Sequence, residues 1–408
     1  MNKLYRNSSF PKSEVAAACA SVVPPMEAFQ LGIYASSITR KSCKSDVEVR
    51  EAIAIHRTER FRLLSVARLL LMAAGRAAGL KFSHDYHRTA KCKIVRRADY
   101  IGVHLAPEYG AAFLTGLVTC GSLWVCPVCA AKIQERRRAE IAQAIDWAYA
   151  SGLQPVLVTL TFPHQAWNKL SRLLEQQAMA LQRLRAGQPW KRFKDSIGFV
   201  GLIRALELTH GQNGWHPHTH EIWLVKKTAD ANEMKEEILK RWESACRRAG
   251  LLPDGTLAGF HEHAVDVKGN CSASDYLAKH DDSRHWGADR ELAKSSTKAG
   301  RAKGLHPFGL LANAADSDRR AGRLFLAYAI ATKGKRQLFW TKGLKRRVSL
   351  RDFSDEVIAE QEREPADLLG MLSPADWAKV CGAEARAQLL QAAEKGKWRA
   401  VQQLLDSC

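Results

Sequence analysis

Apolar and polar positions between residues 155 and 280 follow a pattern whose period changes several times, and each period predicts an element. Continuous or alternating apolar runs flanked by turn-forming residues are typical of strands, and apolar residues three and four positions apart are typical of helices. The predicted elements, in chain order, are a strand over 155–162, a helix over about 166–186, strands over 199–209 and 215–225, a helix over about 230–249, a strand near 260–268 and a helix from about Ser272.

This β-α-β-β-α-β-α order predicts an α+β fold. Strands that follow one another through a short loop pair in antiparallel fashion, and the longer connections place helices against the sheet. We therefore expect an antiparallel sheet with helices packed on one side. Residues 1–85 and 365–408 have helical apolar patterns of their own, which predicts helical regions before and after the sheet.

Three histidines occupy alternate positions of the predicted strand over 215–225. Because every second side chain of a strand points to the same face, His216, His218 and His220 share one face. A row of imidazoles is costly to bury without partners, so the pattern indicates a metal site. The alternative is a hairpin with histidines on its surface.

The preceding strand brings Glu207 to the same place. A hairpin turn centred on residues 212–213 puts Glu207 opposite His218, and a turn centred on 213–214 puts it opposite His220. In either register the carboxylate lies beside the histidines. Two imidazoles and one carboxylate bind a divalent ion and leave positions open for substrate oxygens. The pattern therefore predicts a metal-dependent enzyme.

A second candidate metal site comes earlier in the chain. Cys126 and Cys129, with two residues between them, can hold one tetrahedral ion, and Cys120 precedes them closely. Cys92 is the natural fourth ligand, so we predict a structural zinc site of four thiolates. A redox-active Cys-x-x-Cys pair and cysteines buried as small apolar side chains are the alternatives.

The net charge of +20 predicts a polyanionic partner. Residues 284–347 hold 16 Lys and Arg against 4 Asp and Glu, whereas residues 352–376 hold 8 acidic residues and one basic residue, so the composition changes near residue 351. The basic residues predicted to contact DNA phosphates follow the cysteine pair or lie in the basic stretch, and they are Arg136, Arg137, Arg138, Lys335, Arg336, Lys345, Arg346 and Arg347.

The sequence contains no feature that predicts secretion or membrane insertion. The N-terminal segment is polar and interrupted by prolines, unlike a secretory signal, and the apolar run over 63–80 contains Arg68 and Arg76. Ten cysteines spread over 408 residues do not resemble a disulfide framework. These observations predict a cytoplasmic protein without a membrane partner.

The predicted helix from Ser272 carries a candidate nucleophile. Tyr276 and Lys279 are three positions apart and share a helix face. A tyrosine beside a metal-bound phosphodiester can attack it and keep the cleaved strand attached, while a lysine offsets the phosphate charge. A Tyr-x-x-Lys alone is more often part of an amphipathic helix, but its position after the candidate metal site favours the nucleophile. Tyr328, in a later apolar pattern, is predicted to be a core residue.

Taken in order, these motifs resemble those of the rolling-circle replication initiators of small bacterial plasmids, within the HUH (His-hydrophobic-His) endonucleases. The resemblance covers about residues 88–347 and includes the cysteine knuckle. The matching blocks are Leu157-Val158-Thr159-Leu160-Thr161-Phe162, Gly214-Trp215-His216-Pro217-His218-Thr219-His220, Tyr276-Leu277-Ala278-Lys279, and, downstream, 306–311 and 337–344.

The resemblance implies the ligands of the metal and the chemistry of the tyrosine. It implies that His218, His220 and Glu207 bind Mn²⁺ or Mg²⁺, whereas strand parity alone leaves His216 and His218 as equal choices. His216 is then a neighbour of the ligand set. Tyr276 attacks the scissile phosphate of the origin, keeps the 5′-phosphate and frees a 3′-OH primer.

The resemblance also implies the fold and the partners. The expected fold is an HUH endonuclease-type antiparallel sheet with flanking helices. The expected partners are single- and double-stranded origin DNA, a host helicase and the host replication machinery.

Two positions depart from the family pattern. Thr219 lies between the metal histidines, where a bulkier apolar residue is usual, and a β-branched side chain still suits a strand. Related initiators often carry a glutamate one turn before the tyrosine for the closing step, but this chain has Ser272 there. Asp275 adjoins Tyr276 and points to another face. The way in which a round of replication ends is therefore left open by the sequence.

Other functions fit parts of the pattern. A rolling-circle transposase or a relaxase uses the same chemistry on other DNA, and a zinc-dependent DNA-binding regulator needs none of it. A metallohydrolase of small substrates fits the basic stretch poorly.

The predicted regions are a helical region of unknown function (1–85), the zinc knuckle and basic helix (86–153), the nicking domain (154–285), a basic DNA-binding extension (286–350), and an acidic linker with a helical C-terminal region (351–408).

Overall fold

The computed structural model describes residues 46–81, 85–226, 228–270, 304–362 and 365–408. The chain divides into two compact units, 1–51 and 52–408, and the described part of the first is the beginning of one helix. Ser272, Tyr276 and Lys279 lie outside the described residues.

The strands of the described part form two antiparallel sheets, one of three strands and one of five. Their bounds, in chain order, are β1 Ile101–Ala106, β2 Ala111–Leu114, β3 Leu153–Leu160, β4 Gly201–Gly211, β5 Gly214–Lys226, β6 Val265–Lys268, β7 Leu338–Trp340 and β8 Asp367–Leu372.

Helices precede, connect and follow these strands. Their bounds are α1 Asp46–Ala77, α2 Pro127–Ala150, α3 Leu170–Leu184, α4 Gly187–Ser196, α5 Ala231–Ala249, α6 Leu257–His263, α7 Pro307–Ala315, α8 Arg319–Ala331, α9 Leu344–Arg347, α10 Asp355–Glu360, α11 Pro374–Gly382 and α12 Arg386–Ser407. None of the described helices has an apolar stretch long enough to span a bilayer.

The five-stranded sheet has the order β6-β3-β5-β4-β7, so β5 lies at its centre between β3 and β4. The β4–β5 hairpin turns through Gln212-Asn213, and Glu207 pairs with His218. This is the first of the two registers that the sequence allows. Gly214 closes the turn at φ +85°, where a Cβ would also meet the backbone of Ala166 at 2.9 Å. The turn therefore requires glycine at this position.

The elements predicted between residues 155 and 268 are present, with one shortened strand, and the helix predicted from Ser272 lies outside the described residues. The strand expected near 260–268 begins only at Val265, because residues 257–263 form helix α6. A short apolar pattern fits a helix turn and a strand about equally well, so length alone did not separate the two.

Helices cover both faces of the five-stranded sheet, and the prediction of helices on one side was wrong. Helix α2 packs on one face, where its residues Ala144 and Ile145 share a cluster with Leu157 of β3. On the other face, Val156 and Val158 belong to the large core that includes α3 and α5. A strand buried on both faces has a continuous apolar run rather than an alternating one, and the run at 155–162 carried this signal.

The three-stranded sheet has the order β2-β1-β8 and joins two distant parts of the chain. Strand β8 lies within the acidic stretch 352–376 yet pairs with β1. Glu394 of α12 accepts a hydrogen bond from the backbone N–H of Ala112 at 2.9 Å. The C-terminal region thus shares a sheet with the region of the cysteines. The domain bounds derived from composition stay predictions.

Candidate metal centres

Glu207, His218 and His220 meet on the face of the five-stranded sheet that α2 also covers. The ligand atoms of these three residues all lie within 4.8 Å of one another. The Nε2 atoms of His218 and His220 lie 3.2 Å and 3.1 Å from the same Glu207 oxygen. The Nδ1 of His220 lies 3.1 Å from the Thr159 hydroxyl on β3, which fixes the orientation of the ring.

This geometry fits one divalent ion. Ligand atoms about 2.1 Å from a shared ion lie about 3.0–3.4 Å apart, which matches the two nitrogen–oxygen distances. Both imidazoles direct Nε2 towards the carboxylate, and the Thr159 contact on the other nitrogen is the kind of support that metal-bound histidines receive. The geometry of Glu207, His218 and His220 is therefore compatible with a bound metal ion.

His216 lies on the same face but its ring makes other contacts. Its Nδ1 is 2.7 Å from Nε2 of His164, and its Nε2 is 3.3 Å from the Thr161 hydroxyl. The ring centroid of His216 is 4.8 Å from that of His218. Burial, reinforced by His218 and His164, lowers the pKa of His216 to about 3, so this imidazole is neutral at physiological pH. His216 thus adjoins the three-residue cluster, and its role stays a prediction.

Two further histidines near the site had no predicted role. His164 follows Pro163 at the end of β3, and only the fold places it beside His216. His306 begins α7, where its Nδ1 accepts a hydrogen bond from the N–H of Phe308. Burial lowers the pKa of His306 to about 4, and the nearby Glu207 carboxylate opposes this shift. Their sequence signal was weak, because each is a single histidine beside a proline.

The four predicted zinc ligands come together in a buried cluster. Cys92, Cys120, Cys126 and Cys129 each have an exposed fraction of 3% or less. The sulfur–sulfur distances are 3.6 Å for Cys92–Cys129 and 3.7 Å for Cys120–Cys129 and Cys92–Cys126. Helix α2 begins inside the cluster, because Cys126 is its N-cap and accepts a hydrogen bond from the N–H of Cys129.

These distances fit a tetrahedral zinc ion. With Zn–S near 2.3 Å, the edges of a tetrahedron are about 3.8 Å, whereas a disulfide has an S–S distance of about 2.05 Å. Hydrogen bonds from the other three thiols lower the pKa of Cys129, so the cluster favours a thiolate, the form that binds zinc. The four cysteines are thus compatible with a structural metal site.

The three arginines of α2 predicted to contact DNA make intramolecular contacts. Arg137 donates to Glu140 at 2.9 Å and to Asp355 at 3.0 Å, and Arg136 lies 3.7 Å from Glu140. Arg138 is buried. Charges already matched inside the protein release few counterions when DNA binds, so their DNA contact stays a prediction with little support from geometry.

The basic residues after α8 are mostly exposed. Lys345 is an exception, since its ammonium lies 3.3 Å from Glu140 and 2.7 Å from Asp352. The predicted DNA contacts that are solvent-exposed are Lys335, Arg336, Arg346 and Arg347.

Tyr328 is buried between Trp124 and Trp215, as expected of a core residue.

Known proteins resemble this chain over most of the region described above. The Protein rep of Streptomyces lividans is 29% identical over 354 residues, which cover 72% of this chain and 74% of that protein. A Neomycin resistance protein of Streptomyces cyanogenus is 35% identical over 176 residues, covering 35% of this chain and 40% of that protein. The Protein rep of Streptococcus pneumoniae serotype 2 (strain D39 / NCTC 7466) is 25% identical over 156 residues, covering 36% of this chain and 46% of that protein. No solved structure matches the chain.

The profile of the Replication protein family (Rep_1) matches residues 113–371, from within β2 to within β8. The matched region contains the Glu207 site and three of the four clustered cysteines. Because this match spans more than half of the chain, the protein belongs to the Replication protein family, the Rep proteins of plasmids that replicate by the rolling-circle mechanism.

Proposed function

We propose that this protein starts rolling-circle replication by binding the plasmid origin and cutting one strand at a single site. The observation that carries this proposal is the convergence of Glu207, His218 and His220 on the central hairpin of a Rep-family chain. A divalent ion held by these three residues would polarise a phosphodiester.

The proposed nucleophile is Tyr276. Its phenolic oxygen forms a bond to the scissile phosphorus, the bond from phosphorus to the 3′ oxygen breaks, and the proton ends on the leaving 3′-OH. The 5′-phosphate stays on the tyrosine and the 3′-OH primes synthesis. Lys279 is proposed to offset the phosphate charge, and the exposed basic residues after α8 to hold the duplex around the nick.

The proposed cofactors are Mn²⁺ or Mg²⁺ at the Glu207 site and structural zinc at the four cysteines. Zinc bound by the four cysteines would hold the start of α2, where Cys126 is the N-cap, and α2 covers the sheet face that carries Glu207. The proposed partners are origin DNA, a host helicase and the replication machinery, and the proposed location is the bacterial cytoplasm.

Single-stranded origin DNA labelled at its 5′ end in one sample and its 3′ end in another tests the proposal. With Mn²⁺ or Mg²⁺ we expect a covalent protein adduct that carries the 3′ label only. The adduct should disappear in EDTA and in Tyr276→Phe, and it should persist in Tyr149→Phe, a matched change at an exposed tyrosine of α2. Origin binding without any adduct would refute the nicking function and favour a non-catalytic DNA-binding protein.

A further inference from the structure

An open cleft of about 520 Å³ lies at the end of β3 next to the Glu207 site. Its walls come from the loop after β3, from Asn213 in the hairpin turn, and from α6 with the residues before it. Phe162 and Phe260 supply buried apolar surface, and both are at most 3% exposed. The cleft is thus assembled from three segments that the sheet brings together.

One side chain, that of His216, lies between the cleft and the candidate metal centre. His216 lines the cleft and lies beside His218 with a ring-centroid distance of 4.8 Å. His164, also in the cleft wall, lies 4.7 Å from His216 by ring centroids. A group bound in the cleft is therefore separated from the ligand His218 by a single imidazole.

The lining has the composition of a site for a planar heteroaromatic group. Apolar rings are combined with a few polar atoms, among them the hydroxyls of Thr161 and Thr256. The Nδ1 of His164 is a further buried polar atom of the cleft wall. Ligand sites of this size are mostly apolar with a small number of placed polar groups, and protein rings bind bases by stacking.

We propose that this cleft receives one base of the origin strand next to the scissile phosphate, and that it selects the nucleotide flanking the nick. The inference rests on the proposed nicking function, since the metal centre defines where the scissile phosphate lies. The strand crosses the Glu207 site with its backbone, and the neighbouring base leaves the stack and enters the cleft.

Gly259 provides a way to fill the cleft without disturbing the protein. It lines the cleft on α6, and nothing lies within 4 Å of the position that a Cβ would take there. Gly259→Trp therefore adds a ring to open space at the cleft wall. Gly382→Trp is the matched control, because Gly382 ends α11 and a Cβ there also meets nothing within 4 Å.

The test uses a set of origin oligonucleotides, each with a single abasic position that lies either before or after the nick. Adduct formation with the full chain is measured for each oligonucleotide. We expect one abasic position adjoining the nick to lower the cleavage efficiency by roughly tenfold to a hundredfold, the effect of losing one stacked base. Gly259→Trp should lower cleavage of the intact oligonucleotide by a similar factor and should be insensitive to that abasic position. Gly382→Trp should behave as the wild type.

Binding of the same oligonucleotides to the Tyr276→Phe protein separates this inference from the nicking function. If the wild type never cleaves, but one abasic position weakens binding to Tyr276→Phe and not to Tyr276→Phe that also carries Gly259→Trp, the nicking proposal fails and only the binding of a base in the cleft stands. If the wild type cleaves all abasic oligonucleotides equally well, the cleft proposal is overturned. The wild-type position series decides the question even if Gly259→Trp does not fold, which its melting temperature reveals.

Discussion

Removal of one cysteine of the buried cluster should abolish the proposed zinc binding and the order of one defined region. Cys129→Ala takes away a ligand whose sulfur lies 3.6 Å and 3.7 Å from those of Cys92 and Cys120. Three thiolates with no solvent access hold zinc poorly, because replacing the fourth ligand by water needs space that a 2%-exposed position does not offer. We expect the zinc content to fall from one ion per chain to near zero.

The magnitude follows from what the cluster connects. Zinc stabilises small zinc-dependent folds by about 10–16 kcal/mol, whereas whole domains are stable by only about 5–15 kcal/mol. The backbone of Lys93 donates to Val118 at 2.8 Å, and Trp377 of α11 donates to Ile94 at 2.8 Å, so the segment after Cys92 is tied to two other parts of the chain. We expect a loss of several kcal/mol, concentrated in this segment.

Hydrogen exchange followed by mass spectrometry, with metal analysis, measures both effects. The peptides around 92–97, 116–129 and 374–382 should lose protection in Cys129→Ala, while those of β4 and β5 keep it. Cys246→Ala is the control, since Cys246 is fully buried in α5 outside the cluster and its loss should cost about 1–2 kcal/mol without changing the zinc content. Full zinc occupancy in Cys129→Ala, or unchanged exchange in a zinc-free protein, would refute the reasoning.

Three other changes test separate contacts. Glu221→Gln should lower the free energy of unfolding in urea by about 3 kcal/mol, because the fully buried Glu221 carboxylate is the ion-pair partner of Arg185; an unchanged midpoint would contradict this. Burial, with Arg88 and Lys333 nearby, lowers the pKa of His87 to about 4. Below pH 6.5 the His87 imidazole is therefore protonated in the unfolded chain but not in the folded protein. The free energy of unfolding should accordingly fall as the pH drops from 6.5 towards 4. His87→Asn keeps the cap on Thr89 and should remove up to roughly 3 kcal/mol of that fall, as measured by urea unfolding at several pH values. Arg336→Ala should reduce the salt dependence of DNA binding by about one counterion and leave the melting temperature unchanged. Arg137→Ala, which breaks the ion pair with Glu140, should lower the melting temperature instead. Equal salt slopes for Arg336→Ala and the wild type would show that Arg336 does not contact DNA.

The central hairpin and its chemistry were readable from the sequence because they are local. Alternation along one strand put His218 and His220 on one face, and a hairpin turn centred on residues 212–213 or 213–214 limited Glu207 to two registers. The structure has the register with a two-residue turn, which places Glu207 opposite His218. The cysteine cluster was readable for a similar reason, since three of its members lie within ten residues.

Contacts between distant parts of the chain were not readable. The partner of Arg137 is Asp355, 218 positions away, so a run of three arginines looked like a free basic surface. The pairing of β8 with β1 crosses a change in charge sign that suggested a boundary. Composition reports the average environment of a segment, and it carries no information on which distant side chain neutralises a given charge.

His216 shows why strand parity cannot assign a ligand. Parity makes His216 and His218 equivalent, and the difference between them arises from a third element, the loop after β3 that carries His164 and Thr161. Both ring nitrogens of His216 lie within 3.3 Å of these two side chains, so its ring is held at the wall of the cleft. The loop after β3 therefore distinguishes His216, which lines the cleft, from His218, which belongs to the Glu207 cluster. Replacing His164 by leucine should release the His216 ring and change the affinity for Mn²⁺, even though His164 is not a member of the Glu207 cluster.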